Sequence, residues 1–185
     1  MAPDATTRAR LGVYPGSFDP PTIAHVHIAE RAIAQCGLDR LDLVISAVTL
    51  GKTESTLSPR DLRVAELQRL VDGHPALAVR TTEHSLLADI AEGYDLVVMG
   101  ADKWAQVLDV AWYEGVAGRD AALQRLPTVA LAPRPPWPLP GEDPAADPPA
   151  GVEVILLRTD AAHHAVSATG VRAGRTDWRA RPPQR

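Results

Sequence analysis

The chain has 185 residues, which suffices for one domain with a substantial hydrophobic core. Its formal net charge of −4 gives it no general electrostatic attraction to nucleic acid, and its single cysteine, Cys36, excludes an internal disulfide and a multi-cysteine zinc site. No stretch approaches the ~20 apolar residues that cross a bilayer, and residues 1–10 form a loose polar lead-in without the apolar run of a signal peptide. We therefore expect a cytoplasmic protein that binds neither nucleic acid nor membranes.

Apolar runs and amphipathic segments alternate along the chain, and this predicts the order of its secondary structure. A nearly continuous apolar run at residues 41–48 is typical of a strand in a parallel sheet that is covered on both faces. Ser58 is expected to cap a helix that has Pro59 in its first position and Asp61 closing a capping box. In chain order the patterns predict strands at 11–14, 41–48, 76–79, 94–99, 128–132 and 152–157, and helices at 23–36, 59–72, 85–92 and 105–126, the last one broken near Gly115 and Gly118.

Strands that alternate with helices at this spacing predict an α/β fold, with a single domain, a Rossmann-like parallel sheet, helices on both faces and right-handed crossovers. Two segments are expected to be irregular. Residues 133–151 contain eight prolines and predict an extended surface loop, while residues 175–185 predict a frayed basic tail. In such a fold the ligand crevice lies at the carboxyl ends of the central strands, where residues 16–25, 49–52 and 100–102 fall.

A tight turn joins the first strand to the first helix. An α/β protein holds a phosphate there, because free backbone N–H groups and the helix dipole favour negative charge. Thr22 is placed to cap the helix, and His25 lies three residues later, facing the same mouth. The stretch GSFDPPTIAH, Gly16 to His25, resembles the signature G-[ST]-F-D-P followed by [HT]-x-G-H. That signature marks the nucleotidyltransferase superfamily that includes nicotinate or nicotinamide mononucleotide adenylyltransferase and phosphopantetheine adenylyltransferase. Ala24 departs from it, since the superfamily usually has glycine there.

A second stretch, VSATGVR at residues 166–172, resembles the superfamily's signature I-S-S-T-x-[IV]-R near the carboxyl terminus. The resemblance implies that Ser167 caps a short helix and that Ser167, Thr169 and Arg172 meet the β- and γ-phosphates of ATP. Ala168 replaces the second serine, so one hydroxyl contact is missing. Taken alone, S-x-T-x-x-R is a weak motif, and a plain capping serine explains it. Together with the first signature, in the correct order, it indicates nucleotide binding.

The reaction that the resemblance implies is nucleotidyl transfer. An acceptor phosphate attacks the α-phosphate of ATP in line and pyrophosphate leaves, which requires positioning and charge neutralisation rather than a protein nucleophile. His25 would hydrogen-bond the α-phosphate, and Thr22 would hold the acceptor phosphate or the same oxygens. Lys52 would lie near the acceptor phosphate, although a solvated lysine in a polar loop fits equally well. Arg172 would hold the leaving pyrophosphate, and Mg²⁺ would bridge phosphate oxygens with few or no protein ligands.

The implied nucleotide contacts come from Gly16, Ser17, Phe18, Asp19, Thr22, His25, Gly100, Asp102, Ser167, Thr169 and Arg172. Asp19 is better explained as shaping the turn through its own backbone bonds than as an acid. Residues 100–104, GADKW, resemble the G-A-D segment of the mononucleotide adenylyltransferases, whose aspartate meets the ribose of a bound nucleotide. Trp104 and Trp112 offer flat surfaces on which a pyridine ring could stack, so Trp104 joins Lys52 as a candidate acceptor contact. Tryptophans on a helix are nevertheless more often core or interface residues.

Three functions are open at this point. The first is an adenylyltransferase whose acceptor is nicotinate or nicotinamide mononucleotide. The second has the same chemistry with 4′-phosphopantetheine, which Thr22 in place of the first histidine and the short segment 80–92 favour. The third is a nucleotide-binding protein without turnover, motivated by Ala24 and Ala168. We expect no metal held by the protein, since His25 and His27 face different sides of their helix. A homo-oligomer is compatible with the resemblance.

Overall fold

The computed structural model describes residues 8–46 and 57–182. Six strands in this part of the chain form one fully parallel sheet. The strands are β1 Leu11–Pro15, β2 Arg40–Ser46, β3 Leu77–Thr82, β4 Leu96–Gly100, β5 Thr128–Ala132 and β6 Val154–Leu156. Their order across the sheet is β3-β2-β1-β4-β5-β6, so the direction in which strands are added reverses between β1 and β4. Such a switch point is where an α/β protein places its ligand crevice. The predicted α/β fold with a parallel sheet is confirmed.

Helices cover both faces of this sheet. They are α1 Ile23–Cys36, α2 Arg60–Val71, α3 Leu87–Ile90, α4 Ala101–Leu108, α5 Gly115–Gln124 and α6 Ala168–Arg172, with 3₁₀ turns at Val110–Trp112, Pro144–Ala146, Ala161–His163 and Thr176–Trp178. Ile28 and Leu67 belong to a buried cluster under α1 and α2, while Trp104 and Leu123 belong to a second cluster under α4 and α5. None of the helices within residues 8–46 and 57–182 is long and apolar enough to cross a membrane.

The start of α2 differs from the prediction. Ser58 does not cap the helix, because Pro59 occupies the capping position and makes no side-chain bond, so the predicted capping box with Asp61 is wrong. The backbone of Ser58 has other partners. Its N–H donates to the Asp19 carboxylate at 3.0 Å, and its carbonyl accepts from the Arg63 guanidinium at 2.9 Å.

The helical region predicted over residues 105–126 is broken before Gly115, as expected, but not at Gly118, which lies inside the second helix. Helix α4 begins earlier, at Ala101, directly after β4, and it ends at Leu108. The Asp109 side chain then caps a 3₁₀ turn by accepting the Ala111 N–H. Helix α5 begins at Gly115, whose φ of +81° is strained for residues with a side chain. The region therefore consists of two short helices separated by a capped turn.

The two segments expected to be irregular are both docked on the domain. In the proline-rich loop, Ala146 is buried and its carbonyl accepts from the Trp104 indole at 2.8 Å. Residues 175–182, which we call the C-terminal strap, run along α2. Within the strap Arg179 pairs with Glu66 at 2.6 Å, so the frayed-tail prediction is wrong as far as residue 182.

Candidate active site

The carboxyl edge of the sheet carries a cavity of about 360 Å³. Three strand ends contribute to its wall, through Pro15 of β1, Ser46 of β2 and Gly100 of β4, and Arg134 reaches it from just beyond β5. Residues of both signature stretches border the same cavity: Gly16, Ser17, His25, Ser167 and Thr169. The first crossover and the last helix, which are distant in the sequence, therefore meet at one site.

A capping box organises the beginning of α1. The Thr22 hydroxyl accepts the His25 backbone N–H, and the Thr22 backbone N–H donates to His25 Nδ1 at 3.0 Å. Because Nδ1 is an acceptor, the neutral imidazole carries its proton on Nε2. Thr22 is 1% exposed, so the structure gives it the role of holding His25 rather than of presenting a hydroxyl to an acceptor phosphate. The predicted helix cap at Thr22 is confirmed.

Two aromatic rings support the His25 side chain. The Phe18 ring is fully buried and meets the imidazole edge-on, with 5.0 Å between ring centroids, and Tyr14 packs against Phe18 at 5.5 Å. A Cβ at Gly16 would lie 2.8 Å from the Phe18 ring, so glycine leaves the space that this ring occupies. Phe18 is therefore a buried support for the His25 side chain. Burial raises the pKa of Tyr14 well above its ordinary value, so its hydroxyl remains protonated.

The turn between β1 and α1 is tied to its surroundings by Asp19 and Arg172. Asp19 is 4% exposed and its carboxylate accepts the Ser58 N–H, so it ties the turn to the segment before α2 rather than bonding the backbone of its own turn, as was predicted. The Arg172 guanidinium donates to the Asp19 carbonyl and, at 3.2 Å, to the Thr169 hydroxyl. Arg172 therefore joins the two signature stretches directly, through hydrogen bonds to one group in each.

Helix α6 begins as the sequence predicts. The Ser167 hydroxyl accepts the Gly170 N–H at 3.0 Å, so the predicted N-cap is confirmed. Ser167, Ala168 and Thr169 all border the cavity. A Cβ at Gly170 would lie 2.5 Å from the Trp178 ring, so the strap packs closely against the α6 backbone.

The opposite wall of the cavity carries charged groups at the end of β4 and after β5. Asp102 and Arg134 form an ion pair at 3.5 Å, and a Cβ at Gly100 would lie 2.6 Å from the Asp102 carboxylate, so glycine leaves room for this pair. Lys103 also borders the cavity and donates to the Gln106 side chain at 2.9 Å. Sequence reasoning did not single out Arg134 or Lys103. The available signal for Arg134 was its position two residues beyond a predicted strand.

The two tryptophans considered for acceptor binding have opposite environments. Trp104 is fully buried in the core, with its indole N–H bonded to the proline-rich loop, so its predicted role as a stacking surface for the acceptor is wrong. Trp112 is 45% exposed and, with Tyr113, lines a second cavity of about 210 Å³. Ser85, Lys103 and Gln106 border both cavities, so the second adjoins the first. Lys52 lies outside the described residues.

Within the part of the chain that the structure describes, no cluster of three His, Cys, Asp or Glu side chains could hold a metal ion. His27 has separate partners from His25. Its Nε2 accepts the Asp160 backbone N–H at 2.9 Å, and its ring stacks on His163 at 4.2 Å. A larger groove of about 950 Å³ lies between α1, α2 and the strap. Of the two signature stretches it includes only Ile23 and His25, and no residue of 166–172, so we place the candidate site in the smaller cavity.

Comparisons with known proteins identify the family and the fold of the chain. The cytidylyltransferase-like family model matches residues 13–174. A phosphopantetheine adenylyltransferase from Sphingopyxis alaskensis is 34% identical over 125 residues, which cover 66% of this chain and 70% of that protein. A probable nicotinate-nucleotide adenylyltransferase from Methylibium petroleiphilum is 28% identical over 153 residues, 70% of each chain. Another from Listeria innocua is 34% identical over 74 residues, and the match spans 40% of this chain and only 39% of that protein.

Solved structures show the same fold. The nicotinic acid mononucleotide adenylyltransferase of Plasmodium falciparum, complexed with APC, superposes with a TM-score of 0.65 and 13% sequence identity, covering 89% of this chain and 83% of that one. The same enzyme complexed with NaAD gives a TM-score of 0.62 at 14% identity. At this identity the likeness establishes the architecture.

Proposed function

The chain belongs to the cytidylyltransferase-like family, and from this premise we propose that it is an adenylyltransferase that transfers AMP from ATP to a small phosphorylated acceptor and releases pyrophosphate. The family match bears out the resemblance that the two signatures indicate. The observation that carries the proposal is the convergence of both signatures on one cavity, which His25 and Thr169 both line. The additional cations, Lys103 and Arg134, suit a triphosphate because they neutralise its charge.

In this proposal His25 acts as a hydrogen-bond donor to the α-phosphate. Its Nδ1 is held by the Thr22 N–H, so Nε2 is the atom that carries the proton. A donor fixed before the reaction stabilises the charge that develops during in-line attack, without reorganisation. Ala24 does not argue against turnover through a methyl group in the site, because its side chain is 2% exposed and packs inside the protein.

The phosphate chain is assigned to the two walls of the cavity. Ser167 and Thr169 would meet the β- and γ-phosphates from one side, with Arg172 holding Thr169 in place. Arg134 and Lys103 would meet phosphate oxygens or the acceptor from the other side. Mg²⁺ would enter as part of the substrate, on the triphosphate, which is consistent with a cavity wall that offers Asp102 as a carboxylate already paired with Arg134. A cytoplasmic location stays a prediction.

For the acceptor, the adjoining cavity with Trp112 favours nicotinate or nicotinamide mononucleotide. A half-exposed indole next to Tyr113 suits a flat pyridine ring, which gains from stacking in addition to surface burial. The pantetheine arm, which has no aromatic ring, would gain less from such a surface. The argument for 4′-phosphopantetheine is therefore the weaker one at this position.

Pyrophosphate release with MgATP and each of the three acceptors tests the proposal. We expect turnover with a mononucleotide, and we expect W112A to raise the KM for that acceptor by about 10-fold or more while kcat changes less, since a stacked aromatic pair contributes about 0.5–1.5 kcal/mol beyond its buried area. Turnover with 4′-phosphopantetheine alone would move the assignment to the second hypothesis. ATP-dependent thermal stabilisation without turnover on any acceptor would indicate a nucleotide-binding protein that lacks catalysis.

A further inference from the structure

Arg63 is a buried arginine on α2 that the proposed reaction does not use. It is 5% exposed, and its guanidinium donates from Nε to the Ser58 carbonyl at 2.9 Å and from Nη1 to the Ser17 carbonyl at 3.0 Å. Among the described residues its hydrogen-bond partners are these two carbonyls, and no carboxylate forms an ion pair with it. A charge is costly to bury, and an arginine placed against backbone carbonyls fixes those peptides in return.

The Ser17 carbonyl belongs to the peptide that precedes Phe18, and Phe18 has a φ of +45°. A bulky side chain seldom adopts this left-handed conformation, which persists only where the surroundings determine it. Rotation of the Ser17–Phe18 peptide is the motion that would relieve it. The bond from Arg63 opposes that rotation, because it holds the carbonyl of this peptide toward α2.

The conformation of Phe18 determines where its ring lies, and that ring supports His25 at 5.0 Å. Arg63 also stabilises the neighbouring anchor of the turn. The Ser58 N–H donates to the Asp19 carboxylate while its carbonyl accepts from Arg63, so both ends of this residue are held between the turn and α2. One guanidinium therefore connects α2 to the turn beneath the imidazole.

We propose that Arg63 is a positioning residue for nucleotidyl transfer, which holds the Ser17–Phe18 peptide so that Phe18 supports His25 in its productive orientation. The inference rests on the proposed function for the identity of the reacting group. It predicts that loss of the guanidinium lowers kcat more than it raises the KM for the acceptor, because the acceptor pocket near Trp112 is formed by other elements.

The test compares R63M, which keeps the length of the side chain but removes its donors, with R63K, which keeps a charge and a donor. R69M is the matched control, since Arg69 is an exposed residue on the same helix. We expect R63M to lower kcat by about 10- to 100-fold, the range for a lost charge-assisted bond, with R63K intermediate and R69M at the wild-type value. Circular dichroism at the assay temperature establishes that each variant is folded.

The proposal is overturned if folded R63M retains kcat within about twofold of the wild type, or, should R63M not fold, if folded R63K does so. An independent readout is the Cε1–H resonance of His25, identified by its absence from the spectrum of H25E. A displaced Phe18 ring shifts this resonance in R63M or R63K, and R69M leaves it unchanged. An unshifted resonance in both folded variants refutes the positioning role even if the wild type proves inactive with every acceptor, an outcome that would separately refute the proposed function.

Discussion

Replacing His25 by alanine separates two roles that the structure gives to this side chain. Its Nε2 proton is assigned to the α-phosphate, and its Nδ1 completes the capping box by accepting the Thr22 N–H. Removing one positioned donor from a transition state typically lowers kcat by about 10²- to 10³-fold. Removing one capping interaction costs about 1 kcal/mol. In a chain of 185 residues, a loss of this size lowers the Tm by about 2–4 °C.

These magnitudes make the two roles distinguishable. A domain stable by about 5 kcal/mol or more remains folded after losing about 1 kcal/mol, so a fall in kcat of two orders cannot come from unfolding. H25E is the matched control. Glutamate is the usual partner in this position of a capping box, and it accepts the Thr22 N–H but donates no proton at neutral pH. We expect H25E to keep the Tm within about 2 °C of the wild type and to remain as impaired as H25A.

The assay is pyrophosphate release under saturating MgATP, together with thermal melts monitored by circular dichroism. Folded H25A with a kcat within about fivefold of the wild type would refute the assignment of His25 to the reacting phosphate. Recovery of activity in H25E would also refute it, because the capping bond would then be the whole contribution of the side chain.

Three further predictions concern His27, Gly16 and Trp178. Only a neutral His27 accepts the Asp160 N–H, and burial lowers the pKa of His27 below its ordinary 6.5. The contribution of this hydrogen bond to stability is therefore complete above pH 6.5 and is lost as the pH falls through the lowered pKa. The Tm of the wild type should therefore fall more steeply on acidification than that of H27Q. G16A places a methyl group 2.8 Å from the Phe18 ring, and overpacking of about 1–3 kcal/mol should lower both the Tm and kcat. W178A frees the strap from α6 and should raise the KM for ATP about threefold or more.

Each of these has a measurement that would contradict it. Parallel plots of Tm against pH for the wild type and H27Q would show that the hydrogen bond to His27 contributes nothing to the pH dependence of stability. An unchanged kcat in G16A would mean that the Phe18 ring moves without affecting catalysis. W137A is the control for W178A, because Trp137 is 47% exposed in the proline-rich loop, and equal ATP affinities in the two variants would exclude a role for the strap.

Local signals predicted the parts of the site that depend on neighbouring residues. Thr22 and Ser167 were identified as helix caps because a hydroxyl three residues before an N–H is sufficient for that interaction. Ser58 has the same local pattern but does not cap α2. Its backbone is held by Asp19 and Arg63, and no periodicity in the sequence reports such a tertiary contact.

The two tryptophans differ in burial, and the sequence did not predict which of them would be buried. Trp104 follows the last residue of β4, Gly100, closely, and Trp112 lies beyond α4. The first enters the core and the second borders a cavity, because α4 ends at Leu108 and the chain turns there. The strap escaped prediction for a similar reason. A basic, proline-containing stretch is typical of a solvated tail. In the fold, the Glu66 carboxylate pairs with Arg179 and the α6 backbone packs against Trp178, and both contacts are tertiary.

The meeting of the first crossover and the last helix has a consequence for biosynthesis. A nascent chain has its imidazole early, but it obtains the hydroxyls of α6 only when nearly all of its residues have left the ribosome. Until then the cavity that we assign to ATP is incomplete, however much of the sheet has formed. Under the proposed function, nucleotide therefore stabilises chains that contain α6 and not shorter fragments, so chains terminated before α6 compete neither for ATP nor for its protection against proteases.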